Sequence, residues 1–487
     1  MKNLQNSHFT HMKTFISPFV KIALLLLFAV LMPTLVHAQW STSVNLSPSA
    51  VSAGLNESMG SCIGTNGDTV HVVWTDKLSS TKATLYYTRS VDTGLTWSNP
   101  IAITSLNGNA WNPAIAVNGT SVHVVWRELN PVNNHRASYY KHSLDGGDTW
   151  GTNMYLDSTA DWPAVAVSGN TVYMVNDSVT AASPYNTEIF FMRSLNNGTT
   201  WSTKKQLTFS AGRSEDEAIA AQGSHVHMSW NDNRSGQFQI LYKESNDYGE
   251  TWGPDVVVIP QNDYGTMVSV DGAHVDVVAS GHPTSNHYQI LLAQSNDTGA
   301  TWGTNSDITN DVVNTYYYPD MVRNGSDLHV VCGSSTGAKY LHSGDGGTTW
   351  DTPFTFTGSS TFVAFSKCVL HIIYVDANKK INYLRNPTGN AGHCTVPTDI
   401  TDNQLQEHIA VYPNPFSTQT MLQANSVFKD ASLFVYNSLG KRVKQFTHIS
   451  GQAFTLYRDN LPCGIYFLEL TQDNKTYMTD KLIITDK

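Results

Sequence analysis

The sequence predicts an all-β fold: a ring of small antiparallel sheets, a β-propeller, with a second small β unit behind it. Three observations carry this. An eight-residue box of the form S-x-D/N-x-G-x-T-W occurs six times, beginning at Ser90, Ser143, Ser194, Ser245, Ser295 and Ser343. The steps between copies are 53, 51, 51, 50 and 48 residues, and a steady period of this size marks one supersecondary unit copied along a chain. Within each period, four short β-branched or alternating runs are bounded by Gly, Asn and Asp, and no stretch has helical periodicity.

The chain opens with basic residues (Lys13, Lys21), an apolar run from Ile22 to Met32, and V-H-A before Gln39. That order reads as a secretory signal peptide over residues 1–38, with an apolar core too short to span a membrane. The repeat follows, over 39–386. Each period begins with an apolar run such as P-A-I-A-V (Pro113–Val117), then a Gly turn, then V-H-V-V-W (Val122–Trp126) or a relative. A variable loop leads to an alternating run such as I-L-Y-K-E (Ile240–Glu244), then the box, then a fourth run. Four antiparallel strands at this period make one propeller blade. After the sixth box, three more strand-like runs (Phe362–Cys368, Val369–Tyr374, Lys380–Arg385) lack a fourth. W-S-T-S-V-N-L (Trp40–Leu46) matches W-S-T-K-K-Q-L (Trp201–Leu207), so the N-terminal strand is expected to complete the last blade and remove a free edge. Seven blades follow, with six as the alternative.

Composition narrows the class of partner. Charged residues are 14% of the chain and the net charge is −10, with no basic run beyond the N-terminus. This excludes a nucleic-acid partner, which needs a basic face. The five cysteines are odd in number and irregularly spaced, giving neither a zinc site nor a disulfide framework. Cys62, Cys332 and Cys368 read as buried small hydrophobes, while Cys394 and Cys463 could pair. No cofactor and no metal are expected: phosphate-loop, nucleophile-elbow and zinc spacings are all missing. His71, His123, His227, His329 and His371 share one repeat position, where Tyr173 and Asp276 substitute, and so read as structural.

The box has the chemistry of a turn. Its Asp accepts backbone N–H bonds across the loop, its Gly permits positive φ, and its Trp is an apolar anchor. The six pairs are Asp92/Trp97, Asp145/Trp150, Asn196/Trp201, Asp247/Trp252, Asp297/Trp302 and Asp345/Trp350. Six copies around a ring cannot meet at one reaction centre, and Asn196 suits a turn better than an acid. These residues resemble the Asp box of the sialidase-like, BNR-repeat propellers. The resemblance implies a box between the third and fourth strands, on the face opposite any active site. It also implies members that are sialidases, other glycosidases or non-catalytic binders. A sialidase would hold its sugar carboxylate with three arginines, the first in an R-I-P motif ahead of the first box. Here the only arginine between Gln39 and Ser90 is Arg89, beside a box, so the resemblance does not carry that site over.

On the opposite face, the loops hold Arg127, Arg136, Arg213, Asp232, Arg234 and Trp162 as candidate ligand contacts, since guanidinium forks bind carboxylates and aromatic faces stack on sugars. Glu215 or Glu217, near Tyr264 or Tyr317, are the candidates for glycosidase chemistry. Asp232 with Arg234 also reads as a loop-fixing pair. Trp111 and Trp162, each ahead of a proline at one repeat position, also read as inter-blade packing.

After Arg385 the composition is that of a linker (387–408), and a different domain begins at 409. Its runs V-Y-P-N-P-F (Val411–Phe416), L-F-V-Y-N-S-L-G-K-R-V (Leu433–Val443) and G-I-Y-F-L-E-L (Gly464–Leu470) predict a small β-sandwich over 409–487. They resemble the C-terminal sorting domain of type IX secretion cargo in Bacteroidetes. That implies export through the periplasm to the surface or medium, the secretion machinery as a partner, and no membrane span in the mature chain. The expected function is recognition of extracellular glycans or glycoproteins. The alternatives are a glycoside hydrolase of sialidase type and a protein-binding scaffold.

Overall fold

A computed structural model describes residues 40–55, 60–79, 81–105, 108–129, 136–182, 185–261, 264–282, 287–311, 313–387, 410–437, 441–472 and 475–486. The expected signal peptide and nearly all of the expected linker, Cys394 included, lie outside them. The chain divides into two units, Met1–Cys394 and Thr395–Lys487. No helix occurs among the described residues.

In the first unit, the described strands form seven antiparallel sheets. Sheets 1 to 6 run Ala53–Ala102, Ala110–Asp157, Ala160–Gln206, Ser214–Ile259, Tyr264–Asp307 and Tyr316–Phe356. Sheet 7 takes Ser359–Ser366, Val369–Val375 and Ile381–Asn386, and its outer strand is Val44–Asn45, with Val44 opposite Tyr383. The W-S-T match that predicted this closure is reproduced in hydrogen bonds. Ser41 donates its N–H to Arg385 O at 2.8 Å, as Ser98 and Ser202 do to Arg89 and Arg193 after their boxes. First strands of successive sheets pack side by side, and that of sheet 7 meets Ile63–Asn66 of sheet 1, so the ring closes.

Sequence repetition becomes a repeated seam between sheets. In five sheets a buried histidine of the second strand shares a hydrogen bond through Nδ1 with a tyrosine hydroxyl of the third: His71–Tyr87, His123–Tyr140, His227–Tyr242, His329–Tyr340 and His371–Tyr383, at 2.6–2.9 Å. The next box then closes over that ring. Trp97, Trp150, Trp201 and Trp302 stand edge-on to Tyr383, Tyr87, Tyr140 and Tyr242 at 4.7–4.9 Å between centroids. Where the boxed unit is missing, Trp40 takes the same place against Tyr340, at 5.1 Å. Sheet 3 compensates for its exceptions. It has Tyr173 for the histidine and Phe191 for the tyrosine, stacked at 6.3 Å, with Trp252 edge-on to Phe191.

The six box tryptophans do not all meet a ring, and Trp350 is the exception. Its box closes over sheet 5, where Leu292 stands at the repeat position of the tyrosine, three residues before the box serine. Trp350 therefore has no ring partner among the described residues, and packs half-buried on an aliphatic core that includes Val277 and Leu292. Gly347 of the same box shows the same substitution. A Cβ there would meet Gln294 Oε1 at 3.0 Å and Leu292 Cδ2 at 3.2 Å, where other boxes meet a ring. The histidine position of sheet 5 is Asp276, which is bound instead by Arg323 of sheet 6 and by Gln294 Nε2 at 2.8 Å. An ion pair thus replaces the aromatic seam, and the anchor at Trp350 is apolar contact alone.

Burial holds the seam imidazoles neutral, lowering His71 and His227 to about 4 and His123, His329 and His371 to about 3. A histidine depressed in the folded state contributes stability that is complete above its unfolded value near 6.5 and is lost as pH falls toward the folded one. The loss approaches about 1.4 kcal/mol per pH unit for each histidine. Asp320 and Asp216, both pushed up to about 7 by burial, act in the opposite sense. Copying sheet 3 into sheet 4 isolates one histidine. The His227→Tyr/Tyr242→Phe pair is expected to match the wild type at pH 7.5 within about 1.5 kcal/mol. Denaturant titration should show it losing less stability than the wild type between pH 6.5 and 4.5.

The box itself is the expected turn. Box Asp Oδ1 accepts the Thr N–H at 2.8–2.9 Å and Oδ2 accepts the Thr hydroxyl at 2.5–2.7 Å in all five Asp copies. Asn196 keeps the geometry by reversing one bond: its Nδ2 donates to Thr200 Oγ1 at 2.9 Å. Bonds from Thr251 and Thr349 lower Asp247 and Asp345 to about 2.

Two cysteine readings change. Cys368 is disulfide-bonded rather than a free buried thiol. Cys463 is free, so it is not paired with Cys394. In the second unit, strands Ala410–Tyr412, Gln419–Asn437, Gly464–Gln472 and Lys475–Ile484 pair in that order, Arg442–Tyr457 pairs along the other edge of Gln419–Asn437, and the core holds Leu422, Leu433, Val435, Leu468 and Leu482. The two long strands carry several register shifts along their pairing.

Candidate functional site

Strand register fixes which residues share the face away from the boxes. The box follows the third strand, whose end pairs with the start of the second: Ser90 lies opposite Val70 and Ser143 opposite Val122. The start of the first strand, the end of the second and the start of the third therefore lie at the other end. There the first strand bulges. Between the paired residues Trp111 and Ala114, Asp161 and Ala164, Glu215 and Ala218, and Tyr317 and Asp320, two residues are left over. The first of each pair has positive φ: Asn112 52°, Trp162 45°, Asp216 56° and Tyr318 51°. The second is Pro113, Pro163, Glu217 and Pro319. Sheet 4 alone places a carboxyl in this proline slot.

The same register compares the last residues of the second strands. Arg127 faces Trp111, Asp177 faces Asp161, and Asn231 faces Glu215. Ionisable groups thus concentrate on sheets 2, 3 and 4. Arg127 Nη1 donates to Asp161 Oδ1 at 2.8 Å, and its guanidinium lies 5.3 Å from the Trp162 ring centroid. Arg136 pairs with the other oxygen of Asp161. Arg213 lies 3.4 Å from Glu215 and over the Phe238 ring at 5.0 Å.

Burial shifts the carboxyls beyond these pairs toward the protonated form. Glu217 is fully buried, and neither of its carboxyl oxygens has a hydrogen-bond partner. Burial first, then Asp177, Asp216 and Asp161, push its pKa well up. Asp177 is buried with Oδ1 unpartnered, and burial together with Asp161, Asp216 and Glu215 raises it likewise. Asp216 rises to about 7 through burial and Glu215, against the bond it accepts from Asn231 Nδ2 at 3.0 Å. Glu215 is raised by burial, with Arg213 opposing. Beside them stands Tyr185, 55% exposed, whose hydroxyl is raised by burial and then by Asp177 and Glu215.

Not every predicted residue joins this cluster. Asp232 and Arg234 hold each other: Arg234 Nε and Nη2 donate to Asp232 at 2.8 and 2.7 Å, and Asp232 also accepts from Trp230 Nε1 and Ser214 Oγ. Arg234 also reaches Asp255 at 2.7 Å, so the pair fixes a loop. Tyr317, on sheet 6, donates its hydroxyl to Ser334 O at 3.1 Å. Tyr264 opens the first strand of sheet 5, and its side chain lies outside the described residues. Trp111 and Trp162 are not at one repeat position: Trp111 is equivalent to Asp161, and Trp162 is the bulge residue equivalent to Asn112. Sequence reading passed over Asp177 and Tyr185. The signal for Asp177 was its place five residues after Val172, where the repeat gives Arg127 after Val122 and Asn231 after Val226.

Residues 104–330 match the BNR repeat-like domain, and residues 410–485 match the secretion system C-terminal sorting domain. No curated protein matches the sequence. Among solved structures, the chain is similar to a polysaccharide lyase, an ulvan lyase bound to -[GlcA(1-4)Rha3S]-. The identity is 11% and the TM-score 0.50, over 71% of this chain and 96% of that one. It is also similar to the intramolecular trans-sialidase from Ruminococcus gnavus in complex with oseltamivir carboxylate, at 11% identity and TM-score 0.40, over 72% and 96% of the two chains. A protein of unknown function from Dyadobacter fermentans matches at 12% identity and TM-score 0.43, over 70% and 98%. At such identities the likeness is one of fold.

Proposed function

From the premise that the chain is a secreted, sialidase-like BNR-repeat protein carrying a type IX sorting domain, we propose that it recognises an extracellular polysaccharide on the rim formed by sheets 2, 3 and 4. One observation carries this reading: Glu217, a buried carboxyl without a partner, stands where three sibling sheets have proline. Burying such a group costs stability, roughly 1–3 kcal/mol even when neutral, and a packing role would be better filled by the proline. The aromatic Tyr185 and Trp162 and the guanidiniums around them suit a sugar chain, which needs flat apolar faces and polar edges together. The ulvan lyase likeness supports a polysaccharide as the ligand class without naming the sugar.

A second reading, glycoside cleavage, is favoured by the division of charge. Burial raises Asp216 to about 7 and pushes Glu217 well up, while Asp161 is paired with two guanidiniums. Two carboxyls in contrasting environments are what glycosidic bond cleavage requires. Incubation of the full chain and its Asp177→Asn variant with a panel of polysaccharides tests both readings. Retention of at least one polysaccharide by the wild type, weakened about tenfold or more in the variant, is the expected result. Release of reducing or unsaturated ends, lost in the variant, makes the site catalytic. No retention and no cleavage would overturn the proposal.

A further inference from the structure

A row of aromatic side chains crosses the rim, and what the row can grip deepens the polysaccharide reading, on which this step rests. First strands of successive sheets pack side by side and so lie nearest the axis of the ring, while the fourth strand is the outer edge of each sheet. Sheet 3 carries an aromatic residue at the rim end of its inner edge, its middle and its outer edge. These are Trp162 in the first strand, Tyr185 at the start of the third, and Phe209 three residues past the fourth. Neighbouring strands lie about 4.8 Å apart, so the row crosses about 14 Å of rim from the axis outward. Two of these positions are not explained by the fold. Trp162 has a φ of 45°, a conformation that Asn and Asp adopt more readily than a bulky residue, and sheets 2 and 4 use Asn112 and Asp216 there. Sheet 6 makes the same exception with Tyr318, which packs edge-on to Tyr317. Phe209 is 77% exposed, yet the backbone on both sides of it is tied down. Thr208 Oγ1 accepts the Ile189 N–H at 2.9 Å, Ser210 N–H donates to Glu188 Oε1 at 2.8 Å, and Ser210 O accepts from Asn186 Nδ2 at 3.1 Å. A phenyl ring held in water by a fixed loop adds nothing to the core. The charges around the row are already engaged with one another. Arg127 and Arg136 hold Asp161, Arg213 lies against Glu215, and burial shifts Asp177, Asp216 and Glu217 toward the neutral form. What remains open to a ligand is ring faces. Those attract the C–H faces of a pyranose whose substituents are equatorial, and a row of them needs several consecutive sugars.

We infer that the ligand is a neutral linear polysaccharide of equatorially substituted pyranoses, of the β-1,4-glucan type, gripped along its length and not by its end, with the chain running over sheet 3 from Trp162 past Tyr185 to Phe209. The test is calorimetric titration of the full chain, at low and high salt, with a β-1,4-glucan hexamer, the corresponding dimer and a polyuronate hexamer. The glucan hexamer is expected to bind at least about tenfold more tightly than the dimer, which cannot cover the row, and more tightly than the uronate. Its affinity should change less than about twofold with salt, because salt screens charges and not ring contacts. Phe209→Ala should weaken hexamer binding about five- to tenfold at an unchanged melting temperature, and Phe209→Trp, which keeps a flat face, should restore it. Preference for the uronate, or an affinity that falls steeply with salt, overturns the inference and leaves polysaccharide recognition standing. A dimer bound as tightly as the hexamer, or a hexamer indifferent to Phe209→Ala, also overturns it, since the chain would then be held elsewhere or by its end. Binding of none of the three overturns the inference, and the wider polysaccharide panel then decides the reading beneath it.

Discussion

Trp40→Ala is expected to destabilise the first unit by about 3–5 kcal/mol, as for a large aromatic removed from a packed seam. Trp40 stands edge-on to Tyr340 and stacks on Phe354 at 4.9 Å. Behind it, Leu46 N–H donates to Ile381 O at 2.8 Å and Ile381 N–H to Ser47 Oγ at 2.8 Å. These contacts join chain segments 300 or more residues apart, so they close the ring itself. Removing residues 40–46 should have the larger effect, exposing the edge of Ile381–Asn386 and leaving the chain prone to edge pairing and aggregation. Urea unfolding followed by tryptophan fluorescence measures the first, and light scattering the second. A midpoint unmoved by Trp40→Ala would show that the ring is closed by something other than this strand.

Gly198→Ala is the second large effect. Gly198 has φ +80°, and a Cβ there would lie 1.6 Å from the Tyr140 hydroxyl and 2.3 Å from Cζ. Tyr140 is buried and bound to His123 at 2.7 Å, so it cannot retreat without breaking the seam. A loss above about 3 kcal/mol is expected. The control is Gly119→Ala, with φ +60° and nothing within 4 Å of the added carbon, where only the backbone cost of about 1–2 kcal/mol should appear. Comparable losses at the two positions would mean that the box glycine serves its turn and not the seam.

The seam was half legible in the sequence. The box reads as a turn because Ser, Asp, Gly and Thr act on their own backbone, within eight residues. The partner of its Trp and Gly lies in the neighbouring sheet, about sixty residues upstream for every box after the first, and periodicity alone does not reveal a contact between neighbouring repeats. Six identical tryptophans therefore read as six identical anchors, although Trp350 meets Leu292 and its neighbours where the others meet a ring. The histidine position is readable as structural from its recurrence, but the exchange of His and Tyr for Tyr173 and Phe191 needed the register of two strands. The rim was less legible still. Glu217 was picked out with Glu215 as part of an acidic run, whereas its meaning lies in replacing a proline, which appears only when bulges are aligned. Asp177 sits between Asn176 and Ser178 at the end of an apolar strand run and carries no local motif. Trp111 and Trp162 were set at one position because each lies just ahead of a proline, yet Trp111 stands two residues before Pro113 and Trp162 one before Pro163. The disulfide at Cys368 left no trace because spacing without a framework does not predict pairing.

Glu217→Met is the most direct test of whether this rim is built for a ligand at the expense of stability. Methionine has a similar volume and no polar atoms to leave unpartnered. Thermal unfolding at pH 7.5, read beside polysaccharide retention, should show a higher melting temperature together with weakened retention. A lower melting temperature with retention intact would make Glu217 a structural residue and contradict the assignment of the rim of sheets 2, 3 and 4 as the functional site.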